Sequence, residues 1–96
     1  MTENEVIENK DNKEIVLKAV AEKGKFLDLV SPELQDDKEV VMTALNQDAE
    51  ALEFASSRLK NDKELAMIAV KQNKQAYHFI PENLQQDEDI KEIMNQ

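Results

Sequence analysis

Asn61-Asp62-Lys63-Glu64-Leu65-Ala66-Met67-Ile68-Ala69-Val70 is a copy. Moved back 25 positions, the same register reads Asp36-Asp37-Lys38-Glu39-Val40-Val41-Met42-Thr43-Ala44-Leu45. A further step back gives Asp11-Asn12-Lys13-Glu14-Ile15-Val16-Leu17-Lys18-Ala19-Val20. Self-similarity at a fixed period of this size is the signature of a stacked repeat array, and it outranks any local reading.

Each copy opens with a helix-start signal. Asp11, Asp36 and Asn61 are suited to N-cap positions, with Glu14, Glu39 and Glu64 three residues on. In such a box the cap oxygen accepts a backbone N–H while the glutamate reaches back to the cap's own N–H. The recurring Asp-Lys-Glu is thus expected to start helices, not to form an acidic catalytic or metal cluster. The helix that follows is apolar on more than one side, as in Ile15, Val16, Leu17, Ala19 and Val20, which implies burial between neighbours. Ala19, Ala44 and Ala69 recur at one position, where close helix approach demands a small side chain.

The helix is expected to stop at Lys23-Gly24, Asp48-Ala49 and Asn73-Lys74, with Gly or Asn in a left-handed conformation. A shorter second helix follows, with apolar residues three and four apart: Phe26, Leu27, Leu29 and Val30, then Ala51, Leu52, Phe54 and Ala55, then Ala76, Tyr77, Phe79 and Ile80. Each unit closes on a single turn pinned inward by Leu34, Leu59 or Leu84, and Ser31 before Pro32 is a fitting start for one.

The ends diverge. Residues 1–10 do not match the repeat, and are expected to form a frayed or short capping segment, with disorder as the alternative. From Asp87 onward, Lys91 and Glu92 stand where the earlier copies are apolar, leaving Ile90, Ile93 and Met94 as one stripe. A terminal cap needs such a one-sided helix, because its outer face meets water. The expected organisation is three repeats (11–35, 36–60, 61–86) between these end segments. The expected fold is all-α, with short helix pairs stacked into a small right-handed α-solenoid or a compact bundle.

A recognisable unit emerges from the Asp37-Lys38-Glu39-Val40-Val41 start, the Ala69-Val70 pair, the turn near Gln72-Asn73, and Ala51-Leu52-Glu53-Phe54-Ala55-Ser56 running on to Leu59. It resembles the repeat of domain-of-unknown-function family 4116, over residues 11–86 with residues 87–96 as a partial copy. The middle unit is closest. The first departs at Phe26 to Pro32 and the third at Tyr77-His78. The resemblance implies units that occur in strings, and it supplies no activity and no functional residues.

Composition narrows the function classes. At 96 residues there is room for one core. The absence of cysteine excludes thiolate metal sites and cysteine nucleophiles. His78 is the only histidine, at the position of Asp28 and Glu53, so it reads as solvent-facing. Gly24, the only glycine, cannot make a glycine-rich phosphate loop. Met42, Met67 and Met94 fall on apolar faces and read as core filling. No catalytic set, cofactor or metal is expected. A net charge of −9 disfavours nucleic acid and anionic membrane as partners. The acidic start and the lack of a long apolar run point to a cytoplasmic protein.

Charge is uneven along the chain. Residues 62–86 are neutral, with Lys63, Lys71 and Lys74 against Asp62, Glu64 and Glu82, whereas both ends are acidic. A less repulsive edge around Lys71, Lys74, Gln75 and His78, with Tyr77 beside it, is the expected partner surface. The function expected is a non-catalytic protein-interaction module, the alternative being a structural spacer with no specific ligand.

Overall fold

The computed structural model describes residues 1–96 and is all-α. After α1 (Glu3–Glu8), each unit repeats one sequence of elements: a ten-residue α-helix, a six-residue 3-10 helix and a four-residue α-turn. The long helices are α2 (Lys13–Glu22), α4 (Lys38–Gln47) and α6 (Lys63–Gln72). The 3-10 helices span Gly24–Leu29, Ala49–Phe54 and Lys74–Phe79. The single turns are α3 (Pro32–Gln35), α5 (Ser57–Lys60) and α7 (Glu82–Gln85), and α8 (Glu88–Met94) follows. The second helix of each pair is therefore 3-10 and not α. Six residues held between two extended cap residues suit its tighter winding.

Equivalent helices pack on their successors, α2 on α4, α4 on α6 and α6 on α8. The molecule measures 41 × 21 × 17 Å. One continuous core runs through it. Ala19, Ala44 and Ala69 are all fully buried in the long helices, as close approach requires. Leu34, Leu59 and Leu84 are buried beneath their turns.

Two local expectations are corrected. The N-caps of the long helices are Asn12, Asp37 and Asp62, one residue later than Asp11, Asp36 and Asn61. Asp37 Oδ1 accepts the N–H of Glu39 and of Val40, and Asp62 Oδ1 those of Glu64 and Leu65. The capping glutamates do not reach back, and the one complete capping box lies at Thr2 and Glu5 of α1. The reason is the shift itself: with the cap one residue later, Glu14, Glu39 and Glu64 stand at the second helical position, and Ile15, Val40 and Leu65 occupy the third, from which a box must close.

The second correction concerns the helix stops. No residue has a positive φ. Lys23, Asp48 and Asn73 are extended instead, with φ near −150° and ψ of 105–113°. This backbone serves two helices at once. Each N–H closes the preceding α-helix, and the side chains of Asp48 and Asn73 accept from Glu50 and Gln75 to start the 3-10 helix. Gly24 is required by proximity rather than conformation: a Cβ there would stand 2.5 Å from the Ala44 carbonyl oxygen.

The ends carry helices as well. Val6 of α1 is buried against the first unit. In α8, Ile90 and Ile93 are buried while Lys91 and Glu92 are exposed. No helix is long and apolar enough to cross a membrane.

Candidate functional site

The long helices begin on a ladder of ion pairs that crosses from unit to unit. Lys13 Nζ lies 2.9 Å from Asp37 and 3.0 Å from Glu39. Lys38 stands 3.0 Å from Asp62 and 2.7 Å from Glu64, and Lys63 stands 3.1 Å from Asp87 and 2.7 Å from Asp89. Each lysine thus grips the N-cap of the following helix. Partial burial pushes the Asp37 and Asp62 carboxyls up, but the lysine hydrogen bonds and the capped backbone N–H groups outweigh it and hold both below the usual range. For Asp87 the Lys63 hydrogen bond is the leading cause of the same lowering. The three lysines are raised in return, Lys13 chiefly by Asp37, Lys38 by Glu64 and Lys63 by Asp89.

Beside the last rung, the outer face of α6 opens into a shallow groove of about 430 Å³. Lys63 and Glu64 bound one end and Lys71 the other, with Met67 and Ile68 between them. These residues recur at helical spacing along one side of α6, so a single helix face makes the groove. Met67 packs partly on the core, in line with its expected role, and its outer surface floors the groove. Ile68 is half-buried. It occupies the position held by Lys18 in α2 and Thr43 in α4, and an apolar residue at a polar site of the repeat was a signal open to sequence reading. Lys71 makes no ion pair and is exposed.

The other expected surface residues lie on the third 3-10 helix. Lys74 is exposed and donates to the Gln96 carbonyl. Gln75 is exposed, and its N–H is capped by Asn73 at 2.9 Å. His78 is exposed and sits edge-on to the Tyr77 ring, centroids 6.4 Å apart. Tyr77 is half-buried, and its hydroxyl donates to the Gln85 carbonyl at 3.3 Å while Gln85 Nε2 returns a bond to the Tyr77 carbonyl. Of the five, only Lys71 borders the groove.

A second depression, of about 300 Å³, lies where the third 3-10 helix meets the α5–α6 junction. Ser57, Lys60 and Asn61 face Phe79, Ile80 and Pro81 across it. Nowhere do three or more His, Asp or Glu side chains converge in a way that could hold a metal ion.

A family model, that of the Domain of unknown function (DUF4116), matches residues 12–60 and again residues 37–85. The two matches overlap and are offset by one repeat, so each spans two successive units. No curated protein and no solved structure matches the chain.

Proposed function

The chain belongs to the DUF4116 family, a domain of unknown function, and from that premise we propose that it is a non-catalytic helical-repeat module that binds a protein partner. The observation that carries this reading is the groove on α6. A side chain that is polar in two units is apolar in the third, and an unpaired lysine stands at its rim. The core and the ladder recur while this outer face varies, which is how repeat arrays gain specificity on a constant frame. The partner surface is proposed to comprise Lys71, Lys74, Gln75 and His78, with Tyr77 at its edge, extended by Met67 and Ile68. The net charge of −9 makes polyanions such as nucleic acid poor partners.

The test compares wild-type bait with two variants, Lys71→Glu/Lys74→Glu and Ile68→Thr, in repeated pulldowns from the source cell. The expected result is a reproducible partner lost by both variants while their helical circular dichroism is unchanged. Recovery equal to wild type moves the site elsewhere. The elongated shape and the inter-unit ladder favour a second reading, a rigid spacer, and a bait that recovers nothing reproducible supports it.

A further inference from the structure

We infer that the third 3-10 helix and α7 form a strap, anchored at both ends, that lifts away from the α5–α6 junction and opens the depression beneath Phe79 and Pro81. The inference rests on what the same place in the repeat looks like elsewhere. The N–H of Ser31 donates to the Lys10 carbonyl at 3.1 Å, and that of Ser56 donates to the Gln35 carbonyl at 3.0 Å. The third unit has Pro81 at this position, which has no N–H to give, and the Lys60 carbonyl receives no hydrogen bond.

Side chains repeat the contrast against the second unit, the first having no such bonds from Ser31 or Glu33. Ser56 Oγ donates to Asp36 Oδ1 at 2.6 Å, and Arg58 Nε donates to the same oxygen at 2.9 Å. Arg58 Nη2 adds a bond of 2.8 Å to the Asp36 carbonyl. In the third unit Asn61 replaces Asp36 and Asn83 replaces Arg58, leaving one amide–amide bond of 2.9 Å. The hydroxyls of Ser31 and Ser56 also cap their turns by accepting the N–H of Leu34 and Leu59, whereas Pro81 gives α7 no side-chain cap. A cavity has opened at the place where these bonds are missing.

The strap stays tied at its ends. Upstream, Asn73 closes α6 by donating to the Ala69 carbonyl and caps the 3-10 helix. Downstream, Lys63 holds Asp87 and Asp89. Within the strap, the Tyr77–Gln85 exchange joins the 3-10 helix to α7, so the two move together. Lifting them uncovers Ile80, which is 5% exposed when the strap is down, together with Ala76 and Leu84. Segments with fewer ties open at lower free energy than the rest of a fold, so the strap opens without global unfolding.

The chain has no cysteine, so a single introduced thiol reports on opening alone. Ile80→Cys and its equivalent Ala55→Cys, a position 6% exposed, are labelled with a thiol reagent under native conditions. Ile80→Cys is expected to react about tenfold faster or more. Adding Asn61→Asp, Pro81→Ser and Asn83→Arg, which rebuilds the second unit's bonds, slows it severalfold. The reciprocal change, Ser56→Pro with Arg58→Asn in the Ala55→Cys chain, accelerates labelling there. Ser56 already has φ −60°, which a proline adopts, so this variant keeps its backbone. Equal rates for the two thiols in the parent chain, or rates that neither set of changes moves, overturn the strap.

Discussion

Gly24 and Ala44 touch backbone to backbone: the Cβ that any other residue would carry at position 24 falls 2.5 Å from the Ala44 carbonyl oxygen and 3.1 Å from the Asp48 Cβ. The Gly24 N–H also donates to Gln47 Oε1 at 2.6 Å, so the first unit is seated tightly on the second. Removing a glycine from the unfolded chain gains about 0.4–1 kcal/mol, while forcing atoms into a packed seam costs about 1–3 kcal/mol. Packing wins, and Gly24→Ala is expected to lower the denaturant midpoint. A midpoint equal to or above wild type would show that the seam yields freely.

The recurring alanine sets a second test. Ala44 is fully buried on α4, whereas Thr43 beside it is only half-buried and spends its hydroxyl on the Glu39 carbonyl. Ala44→Leu should cost about 1–3 kcal/mol by overpacking. Thr43→Leu should stay within about 0.5 kcal/mol, as surface changes usually do. Urea melts that give equal losses would put the helical phase in error.

The ladder makes a pH prediction. Asp37, Asp62 and Asp87 are all lowered, as is Asp36 outside the ladder through its hydrogen bonds from Ser56 and Arg58, so what they contribute is fully present above the ordinary carboxylate pKa. It is lost as pH falls through their lower folded values, that is, below about 4. Lys13, Lys38 and Lys63 are raised above 10.5, and their contribution is lost only as pH climbs past that value. Midpoints measured across the pH range should drop outside these limits, and between them change only above about pH 8, where the Met1 amino group, raised by its hydrogen bond to Glu22, loses its proton. Lys38→Met removes the partner that lowers Asp62, and a shallower acid limb in this variant is the expected outcome. An identical acid limb would mean that the rung contributes nothing.

The one-sided last helix yields the final test. Ile90 is fully buried in α8 and Lys91 next to it is exposed. Ile90→Asp loses the buried apolar contacts, a loss of about 2–5 kcal/mol for large-to-small changes, and adds the cost of desolvating a carboxylate. Lys91→Asp should be nearly silent. A chain ending at Gln86 should melt lower and self-associate, because the face of α6 that α8 covers is left open. A shorter chain that is monomeric with an unchanged midpoint by light scattering and thermal melts would show α8 to be a loose tail.

The sequence made the long helices legible because their apolar residues repeat in kind and in phase. It made α8 legible because Lys91 and Glu92 break that phase. The true N-cap was hidden, since Asp36 and Asp37 are equally fit for the role. What separates them is the turn before: Asp36 closes α3 as its C-cap, donating its N–H to the Pro32 and Glu33 carbonyls, so the extended backbone of an N-cap falls to Asp37. The extended cap residues were hidden for a similar reason: Asp48 and Asn73 favour left-handed turns and caps alike, and here the demand of the following 3-10 helix prevails. At the candidate site, Lys71 was legible as part of a locally neutral stretch in an acidic chain, and its lack of an ion pair only from the structure. Ile68 was not singled out, because it continues the apolar run Leu65-Ala66-Met67 and stands out only against Lys18 and Thr43.

Because Lys13, Lys38 and Lys63 each meet their acceptors at the same two offsets, the ion pairing of the ladder is the same whichever two units meet. A genetic exchange that adds or removes one whole unit therefore leaves every remaining lysine opposite a matching pair of carboxylates. The ladder by itself sets no limit on copy number, and a longer or shorter array keeps every rung closed.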